Sequence, residues 1–458
     1  MEAFTTKGRW WLPGDDPENG IAGILTFDPR GQSKLDLFNS FESSSMSEEI
    51  ILGIGDKGQA ITLVDCLETT FARSISDYEW RRSVYTTLYV FQGYHYDHVD
   101  QISFEHLWIR FYGLEKWAST GKRWDASDLD SPLWHRSRVD DITTSLDGFE
   151  LTIRRGHVWS GNPYTSLAVE RHAAVEIALG APWGHKEVTS RIFQLQIFLS
   201  LALGAPTWPI AISATNPDFD DRRITIHYPP ATDFQENGRL SEHQMVFTLE
   251  DLRSKIEPCL KKWFSNTENL AQVLDIYNRV VSRKMSPNDK FMELAKAVEA
   301  YHRIRHEQPL VDRDEYKSIY KKITKYVKSE YPMDEYKRLR GRIYENLGWA
   351  NSPSLKDRML ELQEKHLHIS DHISEDYDVF VKEFKDTRDF MTHLDESLRP
   401  RAKLDGSSLY FMSELLLFML EGCLLSELSL DDDEFRIIIQ SKLRNIHLPP
   451  HLTTTDET

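Results

Sequence analysis

Only three cysteines occur in 458 residues, Cys66, Cys259 and Cys423, and they are scattered along the chain. Such spacing fits neither a disulfide framework nor a zinc knuckle, and a reducing compartment is the simpler expectation. The strong catalytic signatures are missing as well: the chain holds no GxxxxGKS/T phosphate loop, no HExxH, no paired CxxC and no GxSxG elbow. Positive charge is in deficit, with 55 basic against 72 acidic residues and a formal net charge of −17. A field of that sign repels phosphate and argues against broad, non-specific binding to nucleic acid. Long apolar runs are scarce. The most apolar window, Leu415 to Leu425, is eleven residues long and contains Glu421. On that length no bilayer crossing is expected. The opening MEAFTTKGRWWLPG has no charged start followed by an apolar core, so no secretion signal is expected either. These absences together predict a cytoplasmic protein without a membrane partner, and no pattern calls for a cofactor or metal.

What is present divides near residue 235. Before it, short segments rich in β-branched and aromatic residues alternate with turn residues: IAGILTFD (21–28), KLDLFNSF (34–41), EEIILGIG (48–55), AITLVDCL (60–67), SVYTTLYVFQG (83–93), ISFEHLWIRFYG (102–113), FELTIRRGHVW (149–159), SLAVERHAAVEIAL (166–179) and RRITIHYP (222–229). That rhythm predicts strands. Ten of the twelve tryptophans lie before residue 210, as expected where large side chains fill a sheet-on-sheet core. One helix interrupts this half. HKEVTSRIFQLQIFLSLALG (185–204) sets Val188, Ile192, Leu195, Leu199 and Ala202 near one face, and Gly204 with Pro206 stops it. GIGDKG (53–58) matches GxGxxG by letter, but AITLV follows it, so a hairpin turn is the reading.

After residue 240 helix punctuation takes over. A connecting helical pair is followed by SPNDKFMELAKAVEAYHRI, where Ser286 is a good N-cap, Pro287 suits the first helical position and Asp289 can reach back. Further helices are predicted at about 314–330, 334–347, 355–366, 375–397 and 407–428, punctuated by Pro332, Gly348, Pro353, Pro400 and Gly406. The predicted fold is α+β and multidomain: a β-rich, sandwich-like half with one inserted helix over 1–235, a helical connector over 236–285, an all-α bundle over 286–448 and a mobile tail over 449–458. Residues 301–350 carry twelve Lys/Arg against eight Asp/Glu, a balance of +4 inside an acidic whole. Lys321, Lys322, Lys325, Arg338, Arg340 and Arg342 of that stretch are candidate RNA-backbone contacts, beside the plainer reading of a solvated helix face.

The segment that can carry chemistry is DYDVFVKEFKDTRDFMTHLDES (376–397), in which Val379, Phe380, Phe384 and Met391 predict one packed helix. Asp389 and His393 stand four residues apart, about 40° around the axis, so they share a face and a carboxylate there can orient an imidazole. Arg388 lies about 140° from His393, so one small ligand cannot be gripped equally by both. Arginine's reach, or a second copy of the helix across a two-fold axis, must bring the two together. R-x4-6-H also occurs at Arg222…His227, which reads as a strand, and at Arg444…His451, which runs into Pro449 and Pro450. A surface ion pair of Arg388 with Asp389, beside an ordinary histidine, is the competing account.

RDFMTH, Arg388 to His393, is the R-x4-H form of the motif of HEPN domains, and it stands in the penultimate long helix of an all-α C-terminal region. With the AKAVEAYHRI and LYFMSELLLFMLEGCLL helices, this region resembles the HEPN domain of the ApeA family of anti-phage defence proteins. GRWWLPG (8–14), GILTFDPRG (23–31) and ILGIGDKGQAITLVDC (51–66) resemble that family's N-terminal domain. The resemblance implies a homodimeric endoribonuclease of abortive-infection type that cuts RNA without a metal. Arg388, Asp389 and His393 would be its catalytic residues, tRNA is among the substrates that qualify, and a phage-derived trigger would act on the N-terminal domain. A histidine suits proton transfer near neutral pH, and an arginine forks onto phosphate oxygens. The alternative is a helical dimerisation domain that binds RNA or nucleotide without cutting it and carries a β-sandwich recognition module.

Overall fold

The computed structural model describes residues 1–31, 33–41, 46–73, 81–119, 140–162, 166–218, 222–229, 245–366 and 377–431, with positions 433, 435, 436 and 438. The Arg444…His451 spacing and the expected tail over 449–458 lie outside the described residues. The chain forms two compact units, the first running from Met1 to Ser265 and the second made mainly of Lys284–Glu427 together with Asn266–Val280.

The first unit is strand-rich, as its period-2 pattern predicts. Its strands are β1 (Phe4–Trp11), β2 (Ile21–Phe27), β3 (Ser33–Leu37), β4 (Ser47–Gly55), β5 (Ala60–Arg73), β6 (Arg81–Gln92), β7 (Ser103–Phe111), β8 (Ile142–Leu146), β9 (Phe149–Asn162), β10 (Ser166–Gly184), β11 (Pro209–Thr215) and β12 (Arg223–His227). They join in the order β3-β2-β1-β4-β5-β6-β12-β11-β7-β10-β9-β8, and β3 pairs again with β6. That second pairing closes the first six strands into a barrel, while the rest continue as an open sheet. β6 serves both. Ser83 to Thr87 pair with β3, whereas Val90 to Gln92 pair with β12. Its buried residues alternate from Ser83 to Tyr89 and then run together through Val90 and Phe91, where the strand leaves the barrel wall.

Inside the barrel Trp10, Leu25, Leu35, Leu37, Ile51, Ile61, Leu63 and Tyr85 form one buried cluster. Room for the Trp10 indole comes from glycine: a Cβ at Gly53 would lie 2.2 Å from its ring. GIGDKG is thus a hairpin joining β4 to β5, with Ile54 opposite Ala60 and Gly58 at φ +75°. Three strands escape the sequence pattern, β1, β8 and β11. The helix interrupting this unit falls where expected. A four-residue turn of helix, α1 (Leu114–Trp117), precedes α2 (His185–Leu203), which ends at Gly204 in the left-handed conformation, φ +61°. Then α3 (Ile256–Thr267) lays Trp263 against α2, its Nε1 donating to the Gln194 carbonyl at 3.0 Å. Arg222…His227 falls largely on β12, so that spacing belongs to the sheet.

The second unit is helical: α4 (Ala271–Ser282), α5 (Pro287–Arg305), α6 (Arg313–Glu330), α7 (Lys337–Trp349), α8 (Leu355–Lys365), α9 (Tyr377–His393) and α10 (Gly406–Leu425). Ser286 caps α5, accepting from the Asp289 N–H and donating to its Oδ2 at 2.7 Å. Such a cap is worth about 1 kcal/mol. α10 is apolar nearly all round, and thirteen of its residues are buried. The eleven-residue window of the sequence understates it: the helix has twenty residues, enough by length and composition to cross a bilayer, yet 72% of its most apolar window is buried in protein. It is a core helix, packed longest against α5. Glu421 is tolerated within it because the Tyr277 hydroxyl donates to its Oε1 at 3.1 Å.

By contrast α6 and α7 bury no residue at all. They form a helical hairpin tied at its base by Asn351, whose carbonyl accepts from the Leu310 N–H at 3.0 Å and whose amide exchanges two 2.9 Å bonds with Val311.

Two glycine substitutions should move stability in opposite directions. Gly53→Ala forces a methyl into the Trp10 ring and is expected to destabilise by about 1–3 kcal/mol. Gly341→Ala adds a methyl to open space on α7 and should stabilise by about 0.5–1 kcal/mol. Denaturant melts of the two variants check this; an unchanged Gly53→Ala midpoint would contradict the packing described.

Candidate active site

α9 is held in the bundle by a buried stripe of Tyr377, Phe380, Val381, Phe384, Thr387 and Phe390. Phe384 meets Phe291 of α5 edge-on at 5.9 Å, and the Tyr377 hydroxyl donates to the Met359 carbonyl of α8 at 3.1 Å. The stripe differs from the expected one at both ends. Val379 is half-exposed and Met391 lies at the margin, because the buried arc turns through Val381 and Thr387 instead.

Arg388 stands at the edge of this stripe, about a quarter exposed. Its Nη1 donates to Asp389 Oδ1 and its Nη2 to Glu299 Oε2, each at 3.0 Å. Asp389 Oδ2 lies 3.1 Å from Lys385 Nζ, and Glu299 also accepts from Arg303 at 3.0 Å. The result is one chain of alternating charge, Arg303–Glu299–Arg388–Asp389–Lys385, running from α5 to α9. Glu299 escaped sequence reasoning. It sits 89 residues before its partner, and only its i,i+4 spacing to Arg303 hinted at an ion pair.

His393 is the last residue of α9 and is exposed. Thr392 returns its hydroxyl to the Arg388 carbonyl at 2.8 Å, and Leu394 caps the helix at φ +52°, its N–H reaching the Phe390 carbonyl at 2.7 Å. The segment beyond folds back on α9: the Lys403 N–H donates to Thr387 Oγ1 at 2.9 Å, and Arg401 pairs with Asp386 at 3.5 Å. Next to His393, the Asp395 carboxyl is held below the usual carboxylate range, first by the Ser397 hydroxyl and N–H, then by the charges of Arg401 and His393. The structure therefore joins Arg388 to Asp389 but leaves His393 apart. Among the described residues no hydrogen bond links Asp389 to His393; its carboxylate oxygens meet Arg388 and Lys385 instead.

The six basic candidates lie on the α6–α7 hairpin. Arg340 is committed to structure, donating to the carbonyls of Tyr331 and Met333 at the turn. Lys317 pairs with Asp314 at 2.8 Å, whereas Lys321, Lys322, Lys325, Arg338 and Arg342 make no ion pair among the described residues.

A second histidine group lies inside the bundle. His302 is fully buried, its Nε2 2.6 Å from Glu361 Oε2, and its ring stands 5.8 Å from that of His306, which lies 6.0 Å from His366. Arg358 closes the network on Glu307 at 2.9 Å. Burial, then neighbouring positive charge, pushes His306 and His366 down to about 4, and burial lowers His302 despite Glu361. In the first unit, a concave cleft of about 730 Å³ is lined by Trp11, Pro13 and Gly14 of GRWWLPG with Tyr94, His95 and Arg222.

A bundle whose penultimate long helix carries R-x4-H beside a core helix, preceded by a strand-rich unit, has the architecture of a HEPN protein. Residues 292–434 match the family described as Apea-like HEPN, and residues 5–263 match ApeA N-terminal domain 1. The chain belongs to the ApeA family, and with it to the HEPN proteins of anti-phage defence. No curated protein and no solved structure matches it.

Two outcomes test this geometry. Glu299→Gln removes one grip on a part-exposed guanidinium, so stability should move by less than about 1 kcal/mol, while any activity of the site should change. A large loss of melting temperature would make Glu299 a structural residue only. This histidine group sets a pH dependence. Unfolded, these rings take protons near their ordinary value of about 6.5; folded, His306 and His366 do so only near 4. Acid therefore favours the unfolded chain, and the melting temperature should fall as pH drops from about 6.5 towards 4. His306→Gln should flatten that slope. An equal slope in wild type and variant would refute the assignment.

Proposed function

We propose that the protein is a HEPN endoribonuclease of anti-phage defence, cutting RNA through its own 2′-hydroxyl without a metal. The observation that carries this reading is Arg388, held between Glu299 and Asp389 on the helix that ends at the exposed His393. In the proposed reaction His393 moves the proton. The 2′-oxygen attacks phosphorus and loses its proton to a base, while the departing 5′-oxygen takes one up. The products are a 2′,3′-cyclic phosphate and a 5′-hydroxyl. Arg388 steadies the charge that builds on the phosphate oxygens. Guanidinium has five N–H donors and two are engaged here, so donors remain for a phosphate without releasing the carboxylates. Asp389 acts by holding Arg388 within its own chain; a role for it on His393 belongs to a partner's histidine.

On one helix Arg388 and His393 are about 140° apart, and this supports a homodimer in which two copies of α9 build one cleft. Cytoplasmic RNA is the proposed substrate pool, tRNA included. The cleft at Trp11 and His95 is the proposed seat of a phage-derived trigger. Incubating purified protein with total RNA in EDTA, wild type beside Arg388→Ala and His393→Ala, tests the chemistry. Wild type should leave 2′,3′-cyclic ends, and each variant should lose at least about a hundredfold in rate. Ends bearing 3′-hydroxyls, or activity restored only by Mg²⁺, would exclude this mechanism. Variants as active as wild type would leave the non-cutting RNA-binding reading in its place.

A further inference from the structure

The α6–α7 hairpin is where the sequence concentrates two residue types that seldom occur together on a free surface. Residues 313–349 hold ten Lys/Arg against six Asp/Glu, a balance of +4 in a chain of net −17, and six of the eighteen tyrosines besides Trp349. Neither helix buries a residue, yet both are fixed in place by the Asn351 clasp, by Arg340 on the turn carbonyls and by the Tyr344 hydroxyl on the Thr324 carbonyl at 3.2 Å. Rigid helices with no core of their own are an arm.

Among the arm's exposed side chains, beside the aliphatic Ile323, Met333 and Leu339, two kinds stand out, large rings and cations. Tyr326 is 65% and Trp349 77% exposed. On α6, Lys322 and Tyr326 share one side by i,i+4 spacing, with Lys321, Lys325 and Lys328 in a row beside them. On α7, Arg338, Arg342 and Trp349 fall within about 40° of one another, with Glu345 between them. Exposed rings of this size cost solvation and invite a flat apolar partner, while unpaired cations invite phosphate.

Duplex RNA offers phosphates but hides its base faces. Single-stranded RNA offers both, and stacking on aromatic rings flanked by Lys/Arg is how such strands are held without regard to sequence. We infer that the α6–α7 arm is a single-strand RNA grip, in which Tyr326 and Trp349 stack unpaired bases while Lys321, Lys322, Lys325, Arg338 and Arg342 take the backbone. This deepens the ribonuclease reading and rests on it: the arm selects unpaired stretches, where an in-line 2′-hydroxyl is available for cutting.

The full-length chain carrying His393→Ala, titrated into a labelled single strand of about 15 nucleotides and into its duplex, tests the arm by fluorescence anisotropy. Tyr326→Ala and Trp349→Ala should each weaken single-strand binding by roughly fivefold to a hundredfold and leave duplex binding alone. Tyr326→Phe, which keeps the ring, should restore it. Replacing Lys321, Lys322 and Lys325 by Gln should flatten the salt dependence by about 0.7 per lost phosphate contact. Equal losses on single strand and duplex, or affinities unmoved by either set, would overturn the inference. So would a Trp349→Ala chain that keeps its RNA affinity but sediments as a smaller species, since the face would then bind a second copy. Ring-dependent binding, beside wild-type protein that cuts no RNA, would support the arm and remove the ribonuclease reading, so the two fail separately.

Discussion

α5 has two adjoining faces of opposite character, and the helical unit is organised by them. Phe291, Leu294, Ala295, Ala297, Val298 and Tyr301 are buried, and α10 lies along that side. Further round the cylinder Glu299 grips Arg388 of α9, while His302, buried among the apolar residues, reaches Glu361 of α8. The apolar side supplies most of the free energy, because burial scales with area and α10 has little exposed surface. The Glu299–Arg388 pair adds little stability, since it is partly wet. What it adds is position. A guanidinium tied to carboxylates on two helices has few ways to point, and a site that must meet a phosphate needs that restriction.

Much of this was legible in the sequence, and the failures have physical causes. Strand rhythm reported nine of the twelve strands among the described residues. β1 went unseen because Lys7 and Arg9 occupy its outward positions and the segment reads as a polar leader until Trp10. Closure of the barrel through β3 and β6 left no local mark: it is a pairing of Leu35 with Tyr85 across fifty residues, and no periodicity encodes a partner. Helix ends were clear where Ser286 and Gly204 cap them in the sequence itself, whereas α9 stops at His393, four residues short of the expected 397. The site was half legible. Arg388 and His393 could be named from spacing and setting, but Glu299 could not, and Asp389 proved to serve Arg388 rather than His393 within the chain.

The electrostatics of the whole chain also become intelligible by parts. A net charge of −17 keeps RNA away from most of the surface, since a phosphate gains only where several cations act together. Two places among the described residues gather cations in this way. One is the hairpin, where most cations lack carboxylate partners. The other is the ion chain on α5 and α9, which runs on from Arg303 through Glu307 to Arg358, so that Arg303, Arg358, Arg388 and Lys385 outnumber Glu299, Glu307 and Asp389 by one.

That surplus of a single charge bears on assembly. One protomer offers a phosphate a weak attraction at Arg388, and a histidine turned about 140° away from it on the same helix. Lengthening either side chain cannot remove the angle, because the helix that fixes it is packed through Phe384 and Phe390 into the core. Rotating a second α9 about a two-fold axis removes it without any change to the fold. In the proposed homodimer the exposed His393 of one copy would stand near Arg388 of the other, and the surplus charge facing the cleft would double. The proposed two-fold would answer the angular and the electrostatic problem together, and it is an arrangement that calls for an exposed His393.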